Sequence, residues 1–140
     1  MVRNSVVHSP SLSPYASTFK SLVTVQEIEV FKPSLKAYVH LAKSVGKTTE
    51  AHDLQKIWLV SGNPFDIIGA KAAGLKAAWV DRGGKGWCDR LGSLLGQGTE
   101  DGQGLEPTIV VGGVEDAVWG IDRWERDYRN SRKTPGDSLA

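Results

Sequence analysis

Two short stretches carry the residue types that anion chemistry needs. VFKPSLKAY supplies Lys32 and Tyr38, and SGNPFD supplies Ser61, Asn63 and Asp66. A lysine offers a compact positive charge that steadies a carboxylate or a developing anion. Serine and asparagine donate and accept hydrogen bonds, and an aspartate orients a cation or a water. Brought together, they could bind a small anion. Each also has a plainer reading. Lys32 could be a solvated surface group, and Tyr38 lies on an apolar helical stripe. Ser61 and Asn63 could close a turn on themselves, and Asp66 could favour the positive end of a helix.

The elements around these residues decide whether they can meet. β-Branched residues dominate 22–31, and Leu22, Thr24, Val25, Ile28 and Val30 predict a strand that Lys32-Pro33 ends. Ser34 is the expected N-cap of the next helix. Its apolar stripe is Leu35, Tyr38, Val39, Ala42 and Val45, and Gly46 closes it. KIWLV then predicts a short strand buried on both faces. SGNP breaks it, FDIIGAKAAG reads as a helix ending at Gly74, and LKAAWV reads as the next strand. A strand, a helix and a strand in so few residues imply a parallel βαβ unit. Gly69 and Ala70 would allow that helix to approach the sheet closely.

Residues 83–106 are glycine-rich and predict a long loop. PTIVVGG predicts another buried strand, and VEDAVWGIDRWERDY a helix with Val114, Ala117, Val118, Ile121 and Trp124 on one face. The expected organisation is an irregular segment over 1–17, a partial α/β core over 18–127 and a flexible tail over 128–140. In an α/β sheet the site lies beyond the carboxyl ends of the strands. Lys32, the Ser61–Asp66 turn and Asp81 each follow a predicted strand and so share one edge.

Composition narrows the class of function. The 140 residues hold 17 basic and 16 acidic side chains, a formal charge of +1, so neither nucleic acid nor a membrane surface is an expected partner. No apolar run reaches the length of a membrane span, and the Ser-rich start, interrupted by Pro10 and Pro14, has no secretory signal pattern. The single Cys88 has no partner for an internal disulfide and fits a cytoplasmic setting. His8, His40 and His52 show no metal-ligand grouping, and the tryptophans read as core or patch residues.

VFKPSLKAY, VSGNPFDIIGAKAAGLKAAWVDRGG and PTIVVGGVEDAV, in this order, resemble the C-terminal part of the haloacid dehalogenase superfamily. The resemblance runs from Phe19 to Ile121 and is nearest to the type II, metal-independent L-2-haloacid dehalogenases. It implies a Rossmann-like three-layer α/β core with a parallel sheet. It also implies hydrolytic dehalogenation of small 2-haloacids through an aspartyl ester, without a metal or other cofactor. In the family an aspartate ending the first strand displaces halide, and water then hydrolyses the ester. Lys32 matches the lysine that steadies this nucleophile, and Tyr38 matches a tyrosine near the substrate. Ser61, Asn63 and Asp66 match polar residues that place the nucleophile, the lysine and the water. Ser61 stands where superfamily phosphatases carry the first of two aspartates. Magnesium prefers charged oxygen ligands, so the halide-displacing branch fits better than the phosphatase branch.

The same resemblance shows departures. A DxxGT-like segment with the nucleophile, the arginine of a helical cap and a later serine or threonine have no counterpart in the 140 residues. The expected core is therefore incomplete, with the cap domain and the first, nucleophile-bearing strand absent. A chain without that carboxylate cannot form the ester. The apolar strand edges would be exposed at KIWLV and PTIVV, inviting a second copy or a complementing fragment. The competing expectations are a hydrolase by descent, a non-catalytic remnant or interaction protein, and a phosphatase-type relative.

Overall fold

A computed structural model describes residues 20–21, 23–87 and 104–133. The expectations for 1–17, for Leu22, for His8 and Cys88, and for most of the glycine-rich loop and the tail lie outside these residues. The described elements begin with a 3-10 turn at Gln26–Ile28, followed by α1 (Leu35–Ser44), α2 (Ala51–Leu54) and β1 (Trp58–Ser61). Then come α3 (Pro64–Ala72), β2 (Lys76–Val80), β3 (Ile109–Val111) and the long α4 (Val114–Ser131). α4 continues past the boundary placed at 128. No described helix is long and apolar enough to cross a membrane.

The sheet is parallel, in the order β1-β2-β3, with Ser61 opposite Trp79 and Val80 opposite Val111. Alternation along β2 explains the layers. Ala77 and Trp79 join Tyr38, Ile67, Ala70 and Leu75 in the core beneath α3, and α1 packs on α3. Lys76 faces the opposite side, where Trp124 of α4 covers it. With helices on both faces, β2 is buried at every position. The chain thus has an α/β fold, a small parallel sheet flanked by helices.

Several expectations need correction. In place of the expected strand, residues 23–31 contain a 3-10 turn at Gln26–Ile28, with Ile28 N–H donating to the Val25 carbonyl. β-Branched residues favour strands mainly through packing on strand neighbours, and this run has no place in the sheet. Glu29 adopts a left-handed φ of 50°, incompatible with a continuous strand. His40 Nε2 donates to the Thr24 carbonyl where a ladder bond would otherwise lie. Lys32 therefore follows a turn, not a strand.

β1 and β3 are also not buried on both faces. They are the edges of the described sheet, and Val60 (39% exposed) and Val110 (49%) reach solvent. On α1, the stripe shifts so that Ala37, Tyr38 and Ala42 are buried while Leu35 and Val45 are exposed. On α4, only Ala117 of the expected face is fully buried; Val114 and Val118 point outward. Gly120 lets α4 sit directly on β3, because a Cβ there would meet Ile109 Cδ1 at 3.0 Å.

The helix ends follow the sequence signals. Gly46 at φ 74° closes α1 while Lys47 N–H reaches back to the Ala42 carbonyl, and Gly74 at φ 85° closes α3 while Leu75 N–H reaches the Ala70 carbonyl. These are Schellman arrangements in which glycine takes the left-handed position without a Cβ penalty.

Candidate functional site

The polar turn forms where β1 ends and α3 begins. Pro64 opens α3 at a position that needs no N–H, and Asn63 caps it, its Oδ1 accepting from Phe65 N–H at 3.1 Å. Capping places Asp66 in the first turn, facing back toward the strand end. Ser61, the last residue of β1, donates from Oγ to Asp66 Oδ2 at 3.0 Å and accepts from Asn63 N–H at 3.0 Å. Ser61, Asn63 and Asp66 are thus one hydrogen-bonded unit.

Lys32 arrives from the turn before α1. Its Nζ stands 3.5 Å from Asp66 Oδ1, so the two carboxylate oxygens serve different partners. Asp66 is largely covered, whereas the Lys32 side chain is 47% exposed. The ammonium is therefore oriented by Asp66 and open to solvent, an arrangement suited to meeting an anion.

Tyr38 works from below. It is 1% exposed, and its hydroxyl donates to the backbone carbonyl of Asp66 at 3.2 Å. Burial, with a smaller contribution from the Asp66 charge, pushes its phenol up to about 12 from the usual 10.0. Gly69 makes this reach possible, since a Cβ there would overlap the Tyr38 ring and hydroxyl. The close approach expected between Gly69 and the sheet is in fact an approach to α1.

Asp81 shares the same sheet edge but is engaged in its own loop. Its Oδ2 accepts from Gly86 N–H at 2.7 Å and its carbonyl from Gly84 N–H. Beside it, Trp79 and Trp87 meet edge to face at 5.0 Å, and both buried indole N–H groups lack a hydrogen-bond acceptor among the described residues. The sequence singled out neither indole: Trp79 lies in an apolar run and reads as core, and Trp87 lies in a glycine-rich stretch with no pattern. Among the described residues no three His, Cys, Asp or Glu side chains are grouped to hold a metal ion.

No protein-family model matches the chain. Haloacetate dehalogenase H-2 of Moraxella sp. (strain B) is 32% identical over 89 residues, covering 64% of this chain and 36% of that protein. (S)-2-haloacid dehalogenase H-109 of Pseudomonas putida is 31% identical over 90 residues, covering 64% and 38%. The chain thus matches little more than a third of the length of these curated relatives. Among solved structures, an L-2-haloacid dehalogenase from Xanthobacter autotrophicus, with chloropropionic acid covalently bound, superposes with a TM-score of 0.50 at 21% identity. That match covers 78% of this chain and 49% of the other, and it supports the fold. The chain is thus similar in sequence to two curated dehalogenases and in fold to the solved L-2-haloacid dehalogenase.

Proposed function

We propose that this chain carries the lysine–aspartate half of a hydrolytic site for small 2-haloacids. The observation that carries the proposal is the Lys32 ammonium held by Asp66 beside the carboxyl end of β1, with Ser61 fixing the second carboxylate oxygen. In the proposed reaction a carboxylate nucleophile attacks the halogen-bearing carbon and halide leaves with the bonding electrons. An ester remains, and water cleaves it to the 2-hydroxyacid. Lys32 would hold the nucleophile ionised and in place, and Asp66 would hold Lys32. Ser61 and Asn63 would fix Asp66, and Tyr38 would act through the Asp66 carbonyl beneath the anionic substrate. The two curated relatives are named as dehalogenases of haloacetate and of (S)-2-haloacids, and the structural relative holds chloropropionic acid covalently.

Asp66 is an unsuitable nucleophile, because both its oxygens are already engaged. We therefore propose that the 140-residue chain alone does not form the ester. Incubation of the purified chain with L-2-chloropropionate, read by chloride release and by intact mass, should give neither halide nor a covalent adduct. Halide release that disappears in Asp66→Ala would overturn this and place the whole reaction within the chain.

β1 is an edge of the described sheet and Val60 is exposed, which favours a second reading: a non-catalytic interaction protein that pairs through this edge with another copy or a complementing fragment. Light scattering on the purified chain tests it. A monomer at all concentrations would remove self-pairing.

A further inference from the structure

The opposite end of the sheet holds a cleft of about 340 Å³, away from Ser61 and Asp66. It opens beside Lys76 and Thr108, at the amino ends of β2 and β3. That size falls within the range of small-molecule sites.

Two lysines line the cleft, in different circumstances. Lys76 is neutralised, its Nζ 2.5 Å from Glu125 Oε1. Lys71, on α3, is half-buried, and its described hydrogen bond goes to a neutral group, the Thr108 hydroxyl at 3.4 Å. No carboxylate forms a salt bridge with it among the described residues. Thr108 Oγ1 also accepts the Ala77 N–H at 3.1 Å. A hydroxyl has two acceptor lone pairs and one donor hydrogen. With both lone pairs used, the Thr108 hydrogen is left to donate. Lys71 likewise has N–H groups beyond the one given to Thr108.

The cleft therefore offers an ammonium and a hydroxyl donor 3.4 Å apart, a spacing that suits the two oxygens of one carboxylate. Leu54 and Leu75 supply an apolar wall, and Trp124 and Tyr128, whose rings stack on each other at 4.9 Å, supply an aromatic one. Burial pushes the Lys71 amine below its usual value, the mark of a desolvated charge that an anion would relieve.

We propose that this cleft binds a small monocarboxylate with an apolar, planar body, its carboxylate on Lys71 and Thr108 and its body against Trp124 and Tyr128. The site is independent of the reading of Lys32 and Asp66.

Benzoate titrated into the full chain tests it by amide and indole NMR shifts. Saturable shifts are expected at Ala77, Thr108 and the Trp124 indole, with benzyl alcohol failing to saturate them. Lys71→Met should weaken benzoate binding at least tenfold, roughly the value of one charge-assisted contact. If Lys71→Met loses shift dispersion, Lys71→Gln removes the charge while keeping a donor to Thr108 and carries the same comparison. Equal binding of benzyl alcohol, or unchanged benzoate affinity in the folded Lys71 variant, would overturn the proposal. So would shifts confined to Ser61–Asp66.

Discussion

Two of the described lysine–carboxylate pairs, Lys32–Asp66 and Lys76–Glu125, lie at opposite ends of one sheet and differ in their surroundings. At the carboxyl end, Lys32 and Asp66 are 3.5 Å apart and the lysine is half open to solvent. At the amino end, Lys76 and Glu125 are 2.5 Å apart and the lysine is 11% exposed. Trp58 Nε1 donates to the same Glu125 oxygen at 2.8 Å, and the Trp124 ring lies 4.1 Å from the Lys76 ammonium. The buried ammonium already has a carboxylate and an aromatic ring as partners, both linking β2 to α4. The exposed ammonium has Asp66 on one side and solvent on the other, the arrangement that the proposed ligand-binding role requires.

Breaking the amino-end pair should have the largest effect on stability. Burial alone would raise the Glu125 carboxyl, but the hydrogen bonds from Lys76 and Trp58 and the charges of Lys76 and Arg129 together hold the group below the usual range. Glu125→Ala strands the Lys76 ammonium and should cost roughly 2–3 kcal/mol, at or below the low end for a broken buried pair because Glu125 is 33% exposed. Denaturant midpoints check this. Replacing both partners, Lys76→Met with Glu125→Leu, should recover most of the loss, since no uncompensated charge remains. A double variant as unstable as the single would show that the cost lies in lost packing on Trp124.

The unequal legibility of these two ends in the sequence has a physical cause. Ser61, Asn63 and Asp66 are local: a strand end, a proline and a helix start fix their geometry within a few residues. βαβ spacing likewise made β1, α3 and β2 readable. Lys76–Glu125 joins positions 49 residues apart and depends on which way α4 lies across the sheet. A lysine opening an apolar strand shows no sign of that partner. The strand predicted at 22–31 failed for a related reason. Its composition records a preference for neighbours, and only the tertiary arrangement decides whether a neighbour exists. Exposure of Val60 and Val110 follows from their edge positions in the described sheet, which hydropathy alone does not specify.

The support beneath the carboxyl end should give the next largest effect. Gly69→Ala forces the added methyl into Tyr38, which must move away from the Asp66 carbonyl. Overpacking of this kind costs about 2 kcal/mol. Alkaline titration sharpens the point. Tyr38 keeps its proton to about pH 12 when folded, against 10.0 as its usual value. Its contribution is complete below pH 10.0 and is lost as pH rises toward 12, because the unfolded chain gives up the proton first. Tyr38→Phe should flatten that alkaline loss while remaining close to the parent at neutral pH, apart from about 1 kcal/mol for the hydrogen bond. An unchanged alkaline profile in Tyr38→Phe would assign the loss to another group.

Lys32→Ala should have the smallest effect on stability, below about 1 kcal/mol, because an exposed ion pair returns little over the cost of fixing its side chains. The informative quantity is the contrast with Glu125→Ala. A lysine that costs almost nothing to remove, yet is fixed by a carboxylate that Ser61 holds in turn, is positioned for something other than folding. Titration of L-2-chloropropionate, followed by the amide shifts of Ser61 and Asp66, measures that other role. Binding lost in Lys32→Ala with the denaturant midpoint unchanged would make the carboxyl-end pair a ligand-binding pair. A large drop in midpoint, comparable to that of Glu125→Ala, would instead erase the distinction between the two ends. Lys32 would then be a structural cation that happens to be exposed, and the proposal of a substrate site at Asp66 would lose its main physical support.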